Sequence, residues 1–200
     1  MFKSDIRNID YYAQNIILVI SGTMASGKDT VLKLLQKDVN FYFVKSITSR
    51  PKRRNEKNGQ PYEFISQNKF EKMIERKEFW EYEESYGNFY GITKEEVLRA
   101  LISRNPIIFR VDERGVVKIK KVFSQAKTVF IAPPSLKTIK ERIISRINTP
   151  NLLKNERLES ARLQLLTLTG ANIYDFIIVN KDSNKSAKEM KQIFRSLTKK

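Results

Sequence analysis

The segment from Gly22 to Lys28 has the residue types and order of a phosphate-binding loop. It reads Gly-Thr-Met-Ala-Ser-Gly-Lys and matches G-x-x-x-x-G-K, the first seven positions of the P-loop. Its glycines permit a turn that directs backbone N–H groups inward, and its lysine can reach nucleotide phosphates. The alternative is a glycine-rich turn that binds nothing. We expect a nucleotide polyphosphate to contact the loop residues Gly22, Thr23, Met24, Ala25, Ser26, Gly27 and Lys28.

The two residues after the loop carry oxygen atoms suited to Mg²⁺. The P-loop pattern has a Ser or Thr directly after the lysine, where it holds the ion, but this chain has Asp29 there and Thr30 one position later. A carboxylate is a good ligand for Mg²⁺, although it also places negative charge beside the phosphates. We therefore expect Mg²⁺ as a cofactor, with Asp29 or Thr30 near it.

Hydroxyl groups and arginines later in the chain indicate a second phosphate site. Ser46, Arg50, Arg53 and Tyr62 lie within one polar stretch. Arginine forks bind phosphate oxygens through two hydrogen bonds and hydroxyls complete the cradle, so this group suits a phosphate monoester. The alternative is a solvated basic loop, which would be the default interpretation of Lys52 to Lys57 taken alone.

Three further arginines fall in a basic, helix-patterned segment. Arg142 and Arg146 are four residues apart and so share one helix face, and Arg157 follows an Asn-Thr-Pro-Asn break. Cations on a mobile segment can neutralise charge on the equatorial oxygens during phosphoryl transfer. We expect these three arginines to be catalytic together with Lys28 and Arg50; an ordinary exposed basic helix is the alternative.

Alternating apolar patterns predict the elements that position these groups. The run Ile16 to Ile20 is typical of a strand buried on both faces of a parallel sheet, and helical spacing follows the loop. Similar runs occur at residues 41–44, 106–111, 128–132 and 176–179, with helical patterns between or after them. The order predicts an α/β fold with a P-loop NTPase-type parallel sheet core.

Two stretches interrupt the alternation. Residues of about 46–97 are aromatic and polar, which predicts an inserted subdomain that binds the acceptor. Residues of about 136–162 predict a hinged helical lid. The core then comprises about residues 14–45, 98–135 and 163–200, and the whole chain is one catalytic unit.

Composition limits the available chemistry. The 200 residues include no Cys and no His, which excludes disulfides, thiolate metal sites and a histidine base. The formal charge of +16 attracts polyanions without choosing among nucleotides, nucleic acid and acidic membrane. The first apolar stretch is too short for a signal peptide or a membrane span. We expect a cytoplasmic protein without membrane attachment, either a monomer or a homodimer.

Ordered motifs along nearly the whole chain resemble the guanylate kinase family. The insert has the family's Ser, two arginines three apart, Asn-Gly turn and Tyr-x-Phe, and several motifs in order are more specific than any one. The other matching segments are Glu78-Phe-Trp-Glu81-Tyr, Gly87-Asn-Phe-Tyr90-Gly91, Phe130-Ile-Ala-Pro-Pro-Ser135 and Ile177-Ile-Val-Asn180. The resemblance implies Mg²⁺-assisted transfer of a phosphoryl group from ATP to GMP or dGMP.

The resemblance also implies residue roles. It assigns Asn180 to the vicinity of the ATP base and Glu81 to the guanine, whose N1–H and exocyclic amine form a donor pair that adenine does not present. A monophosphate is already an anionic nucleophile, so the absence of a histidine base is no obstacle. The implied GMP-binding residues are Ser46, Arg50, Arg53, Tyr62, Glu81, Tyr90, Gly91, Thr93 and Asp112.

Three positions depart from the family pattern. Besides Asp29, Ile92 stands where the family has a small hydroxyl residue, with Thr93 one position later. Arg110 replaces the first of two acidic residues on a strand, of which Asp112 remains to order a metal-bound water or the acceptor. Because the two charge changes are opposite in sign, we hypothesise that Arg110 pairs with Asp29.

Three other functions remain open at this point. One is a kinase for another phosphorylated acceptor such as a ribose bisphosphate, since some related sequences also have Gly-Lys-Asp in the loop. Another is a non-enzymatic guanylate-kinase-like module that binds a phosphorylated peptide, which the intact Lys28 argues against. The third is a nucleic-acid-binding protein with basic clusters at residues 52–57 and 118–121, but no recognisable nucleic-acid module supports it. We expect no specific nucleic-acid partner.

Overall fold

The computed structural model describes residues 16–52, 56–59, 62–144, 151–167 and 173–198. These residues form two compact units: the small unit, Tyr42–Ile107, and the large unit, Ile16–Phe41 with Ile108–Lys200. The strands are β1 (Ile17–Ser21), β2 (Tyr42–Phe43), β3 (Ser46–Thr48), β4 (Tyr62–Phe64), β5 (Phe79–Ser85), β6 (Asn88–Thr93), β7 (Ile107–Arg110), β8 (Lys127–Ala132) and β9 (Phe176–Val179). The helices are α1 (Lys28–Leu35), α2 (Gln67–Glu75), α3 (Lys94–Ile102), α4 (Glu113–Val122), α5 (Leu136–Ile144), α6 (Asn151–Thr167) and α7 (Ser183–Thr198).

A five-stranded sheet with the order β2-β7-β1-β8-β9 confirms the predicted α/β core. β1 pairs with β8 and β8 pairs with β9, both in parallel. Every residue of β1 is buried, as the apolar run that makes up its first four residues predicts. In open α/β sheets, ligands bind beyond the carboxyl ends of the strands, and the loop that begins at Gly22 follows β1 directly.

Helices of the large unit bury their apolar faces on this sheet and on one another. In α7, Met190 and Phe194 are buried, and the Phe194 ring lies 6.3 Å from that of Phe41. α5 and α6 contribute Ile139 and Ala161 to a cluster that includes Ala25 of the loop. Within the described ranges, no helix has the length and apolar character needed to cross a membrane.

A second sheet, with the order β4-β3-β6-β5, forms the frame of the small unit. β3 pairs in parallel with β4 and antiparallel with β6. α2 inserts the fully buried Phe70 between two other rings, with centroid distances of 4.3 Å to Phe79 and 5.2 Å to Phe89. The small unit covers the stretch of about residues 46–97 predicted as an insert. Its aromatic core supports the strands that carry the expected acceptor residues.

A reciprocal pair of hydrogen bonds joins the segment before β9 to β8. The Thr128 N–H donates to the Asp175 carboxylate at 2.8 Å, and the Asp175 N–H donates to the Thr128 hydroxyl at 2.8 Å. Burial raises the pKa of the Asp175 carboxyl, but hydrogen bonds from Thr128 and Lys127 outweigh burial and hold the pKa below its ordinary value of 3.8. The ionised carboxylate therefore stabilises the fold.

We expect Asp175→Ala to lower the free energy of unfolding by about 1–3 kcal/mol at pH 7, because the buried Thr128 N–H loses its acceptor. Because the pKa of Asp175 is lower in the folded state, its ionised carboxylate stabilises the fold above the unfolded-state pKa. This stabilisation is lost as the pH falls through the folded-state pKa. The difference between the two proteins should thus narrow below about pH 4. Urea unfolding from pH 3 to 7 measures it, with the exposed Glu189→Ala as control. A difference that does not change with pH would contradict the assignment.

Candidate functional site: a phosphate loop and an acceptor cradle

The loop between β1 and α1 has a backbone that only certain residues tolerate. Gly27 has φ +87° and caps α1 without a side-chain hydrogen bond, so the first N–H groups of the helix remain available to an anion. Ala25 also has positive φ, 60°. A Cβ on Gly22 would lie 2.4 Å from the carbonyl oxygen of Ile131. Because β8 comes this close, the position has no room for a side chain.

The ammonium group of Lys28 lies inside this loop. It donates to the carbonyl oxygens of Gly22 at 3.1 Å and Thr23 at 3.4 Å. The hydroxyls of Thr23 and Ser26 are buried and have no hydrogen-bond partner among the described residues. A partly buried cation beside two buried hydroxyls at the start of a helix has the chemistry of a polyphosphate site, and the contact of ATP with the loop stays a prediction.

Asn180 supports the loop from the end of β9. Its side chain is fully buried, and its amide donates to the Ser26 carbonyl oxygen at 2.7 Å. Its carbonyl oxygen accepts from the hydroxyls of Ser183 and Ser186 at 3.4 and 3.2 Å. Asn180 therefore holds the loop backbone, and its expected place near the ATP base stays a prediction.

One of the three predicted lid arginines contacts the loop. Arg142 of α5 donates to the carbonyl oxygens of Ala25 at 3.0 Å and Ser26 at 3.2 Å. Arg146 lies outside the described residues, as does the side chain of Arg157. The structure thus brings a guanidinium beside the phosphate loop, while the charge-neutralising role of the three arginines stays a prediction.

The hypothesised pair of Arg110 and Asp29 is confirmed. The Arg110 Nη1 donates to the Asp29 Oδ1 at 2.7 Å. The arginine side chain is 3% exposed and the aspartate side chain is 49% exposed. Two departures from the family pattern that are 81 residues apart therefore form one ion pair beside Lys28.

Asp112 forms the N-cap of α4. Its Oδ1 accepts from the Gly115 N–H at 2.8 Å, and Arg114 lies 3.3 Å from its other oxygen. This bond satisfies one of the free amides at the helix start. The sequence did not indicate this capping role, and contact of Asp112 with a metal-bound water or an acceptor stays a prediction.

Three of the predicted acceptor residues, Ser46, Tyr62 and Tyr90, lie on the neighbouring strands β3, β4 and β6. Ser46 is the register partner of Tyr62, and Thr48 is the partner of Tyr90. The Tyr62 and Tyr90 rings are 5.8 Å apart. The guanidinium of Arg50 lies 5.7 Å from the Tyr62 ring, so one cation and two phenols share this region. Arg53 lies outside the described residues.

Glu56 is a functional candidate that the sequence motifs did not single out. Its two carboxylate oxygens lie 2.9 and 3.0 Å from Nη2 of Arg50, and the two side chains are only 14% and 9% exposed. Arg50 also donates to the Pro51 carbonyl oxygen at 2.7 Å. The charge of Glu56 among hydroxyls and an arginine is a signal that sequence reasoning could have used. Its carboxylate now occupies the fork expected to bind phosphate.

β5 and β6 place the residues expected to read the base. Glu81 is half-buried on β5 opposite Ile92, and Ile92 is 1% exposed, so it fills the interior of the small unit. The Thr93 hydroxyl accepts from the Glu96 N–H at 3.2 Å and caps α3. A Cβ on Gly91 would lie 2.7 Å from the Phe79 ring, so packing accounts for this glycine.

The residues around the loop suit a Mg²⁺ ion that is held mainly by nucleotide and water. Asp29 and Thr30 supply exposed oxygen atoms in the first turn of α1. Among the described residues, no group of three or more His, Cys, Asp or Glu could hold a metal on its own. Mg²⁺ is commonly bound by one or two carboxylates together with substrate phosphates, and this donor set fits that use.

The parallel sheet, the glycine loop after β1 and the enclosed lysine define a protein of the P-loop NTPase type. The guanylate kinase family model matches residues 14–197. Curated guanylate kinases from Nitrosomonas europaea and Clostridioides difficile are 33% and 34% identical over 181 and 187 residues, covering 90% and 93% of this chain and 89% and 90% of theirs. A crystal structure of guanylate kinase from Anaplasma phagocytophilum aligns with a TM-score of 0.69 and 25% identity, covering 93% of this chain and 87% of the other. This chain belongs to the guanylate kinase family.

Proposed function

We propose that this protein phosphorylates GMP or dGMP with ATP. The observation that carries the proposal is the phosphate loop with Lys28 bonded inside it, in a chain of the guanylate kinase family. Four of the predicted acceptor residues, Ser46, Tyr62, Glu81 and Tyr90, lie on strands of one sheet, which supports a second nucleotide as the substrate. The reaction joins the terminal phosphoryl group of ATP to a phosphate oxygen of the acceptor and gives ADP and GDP.

On the donor side, charge neutralisation is the main task of the protein. Lys28 exchanges the carbonyl oxygens of Gly22 and Thr23 for phosphate oxygens. The N-terminal amides of α1 bind further oxygens, and Arg142 adds positive charge beside the loop. These groups are fixed before the reaction, so they stabilise the developing charge at little reorganisation cost.

On the acceptor side, Arg50 binds the monophosphate. The guanidinium exchanges the Glu56 carboxylate for phosphate oxygens, and the hydroxyls of Ser46, Tyr62 and Tyr90 complete the cradle. Because the attacking phosphate oxygen is already anionic, no side chain has to remove a proton. Holding the acceptor phosphate in one orientation is then the contribution of the small unit.

We expect ATP to bind as its Mg²⁺ complex. When bound, the ion neutralises phosphate charge that the side chains leave uncompensated. Asp29 or Thr30 would hold it, directly or through water, at the start of α1. Steady-state assays with and without Mg²⁺ test this requirement.

An acceptor panel tests the proposed substrate. ADP formation is measured with GMP, dGMP, AMP and a ribose phosphate at equal concentrations. We expect GMP or dGMP to give the highest kcat/KM. A higher kcat/KM with the ribose phosphate would show that the protein is a kinase for that acceptor instead. ATP hydrolysis without phosphorylation of any acceptor would contradict the proposed kinase activity.

We expect Glu81→Gln to lower kcat/KM for GMP by at least about tenfold and to narrow the preference for GMP over AMP. The carboxylate accepts two guanine donors, whereas the glutamine amide offers one acceptor and one donor, and each charged hydrogen bond contributes about 1.5–3 kcal/mol. The same panel measures the change, with the exposed Glu84→Gln on the same strand as control. An unchanged ratio of GMP to AMP activity would assign guanine recognition to another residue.

A further inference from the structure

The Asp29–Arg110 pair combines two residues with different exposure. Arg110 ends β7 with its side chain 3% exposed, whereas Asp29 is half exposed in the first turn of α1. A buried guanidinium requires a counter-charge, and the Asp29 carboxylate at 2.7 Å supplies one. An exposed carboxylate can be solvated by water and does not need an arginine in order to ionise. Burial explains why Arg110 needs a countercharge, but it does not explain why Asp29 is paired with an arginine.

The charge at position 29 matters because of its neighbours. Asp29 directly follows Lys28 and lies in the first turn of the helix whose free amides face the expected phosphates. A lone carboxylate there would repel an anion of three or four charges, whereas the usual P-loop residue at this position is a neutral hydroxyl. The positive charge of Arg110, in contact with the carboxylate, restores a neutral sum at that position.

We propose that Arg110 is a positioning residue of the donor site: it orients the Asp29 carboxylate through Oδ1 and cancels its charge, so that ATP binds tightly although a carboxylate follows Lys28. This proposal rests on the proposed function, since it takes ATP as the ligand of the loop. Arg110 acts here through Asp29. Its positive charge substitutes for countercharge that Mg²⁺ would otherwise have to supply.

The effect of Mg²⁺ distinguishes this role of Arg110 from a purely structural one. Without Arg110, the Asp29 carboxylate loses the countercharge of this pair and repels the phosphates most strongly when no Mg²⁺ is present. Added Mg²⁺ then supplies the missing countercharge and recovers part of the affinity. A structural role would weaken binding equally with and without the ion.

Calorimetric titration of wild type, Asp29→Ser, Arg110→Gln and the double variant with a non-hydrolysable ATP analogue tests the proposal. In EDTA we expect Arg110→Gln to bind about tenfold more weakly than wild type, a change of about 1.4 kcal/mol. We expect a smaller loss in Mg²⁺ and recovery of most of the affinity in the double variant. Asp29→Ser should melt at a lower temperature than wild type, since the buried arginine loses this carboxylate. Arg195→Gln, on the exposed face of α7, is the control for the loss of one charge in the same unit.

Arg110→Lys keeps the proposal testable if the glutamine variant does not fold. It retains the positive charge and should bind the analogue more tightly in EDTA than Asp29→Glu/Arg110→Ala, which retains only the negative charge. Additive effects of the two substitutions on affinity, or equal losses of affinity with and without Mg²⁺, would overturn the role of the pair. Binding of the analogue by the wild-type protein would still support the ATP site. Failure of the wild-type protein to bind the analogue would overturn both the pair's role and the proposed function.

Discussion

Lys28→Met will lower kcat by about 10²–10³-fold, the range typical of removing one preorganised charge-stabilising group from an active site. Methionine keeps an unbranched side chain that is shorter by one atom, and it lacks the ammonium that donates to the carbonyl oxygens of Gly22 and Thr23. The lost interaction belongs to the phosphates of ATP, so KM for GMP should change far less than kcat. Coupled assays of ADP formation with each substrate varied in turn measure both constants.

Lys33→Met is the matched control for this change. Lys33 lies in the same helix with an exposed side chain, so its loss removes an equal charge without touching the loop. It should leave kcat within a factor of about two, because surface substitutions away from such features are mostly small in effect. A folded Lys28→Met protein that retained near-normal kcat would show that the loop lysine is not part of the catalytic machinery.

Arg50→Ala will raise KM for GMP by about 100-fold. Two charge-assisted hydrogen bonds to the acceptor phosphate, each worth about 1.5 kcal/mol at the low end, correspond to a change of this size. Lysine at position 50 keeps the charge but loses the planar fork, so Arg50→Lys should recover only part of the affinity. Steady-state kinetics with GMP varied at saturating ATP measures the series.

Arg99→Ala controls for the loss of an arginine from the same unit. Arg99 lies on the surface of α3, 64% exposed and paired with Glu95, and its removal should leave KM for GMP unchanged. Thermal melts separate an effect on binding from an effect on folding, since Arg50→Ala also removes the partner of Glu56. The acceptor role of Arg50 fails if a folded Arg50→Ala protein keeps its KM for GMP.

Local patterns were sufficient for much of the fold. The apolar run of β1 and the loop spacing that follows it predict a strand, a phosphate turn and a helix, and all three occur. β9 falls at the predicted residues 176–179, and β8 begins one residue earlier than its predicted run. These features are readable because burial on both faces requires continuous apolar residues, and because a tight turn at a helix start requires glycine.

Side-chain partners were harder to predict. Asn180 ends its strand as expected, but its burial against Ser26, 154 residues away, gives it a supporting role that no local spacing reveals. Glu56 lies in a basic stretch, and its ion pair with Arg50 cannot be predicted from that stretch alone. Ile92, a departure from the family pattern, is explained by its interior position.

The sequence by itself determined the type of chemistry: a glycine loop with a lysine, arginines and hydroxyls for phosphate, and no histidine or cysteine. Tertiary structure alone decided which of these groups meet. The contact of Arg142 with the loop carbonyls and the bond of Arg110 to Asp29 join residues 117 and 81 positions apart. Opposite charges suggested the second pair, but an ion pair forms only where the sheet brings the end of β7 beside the first turn of α1.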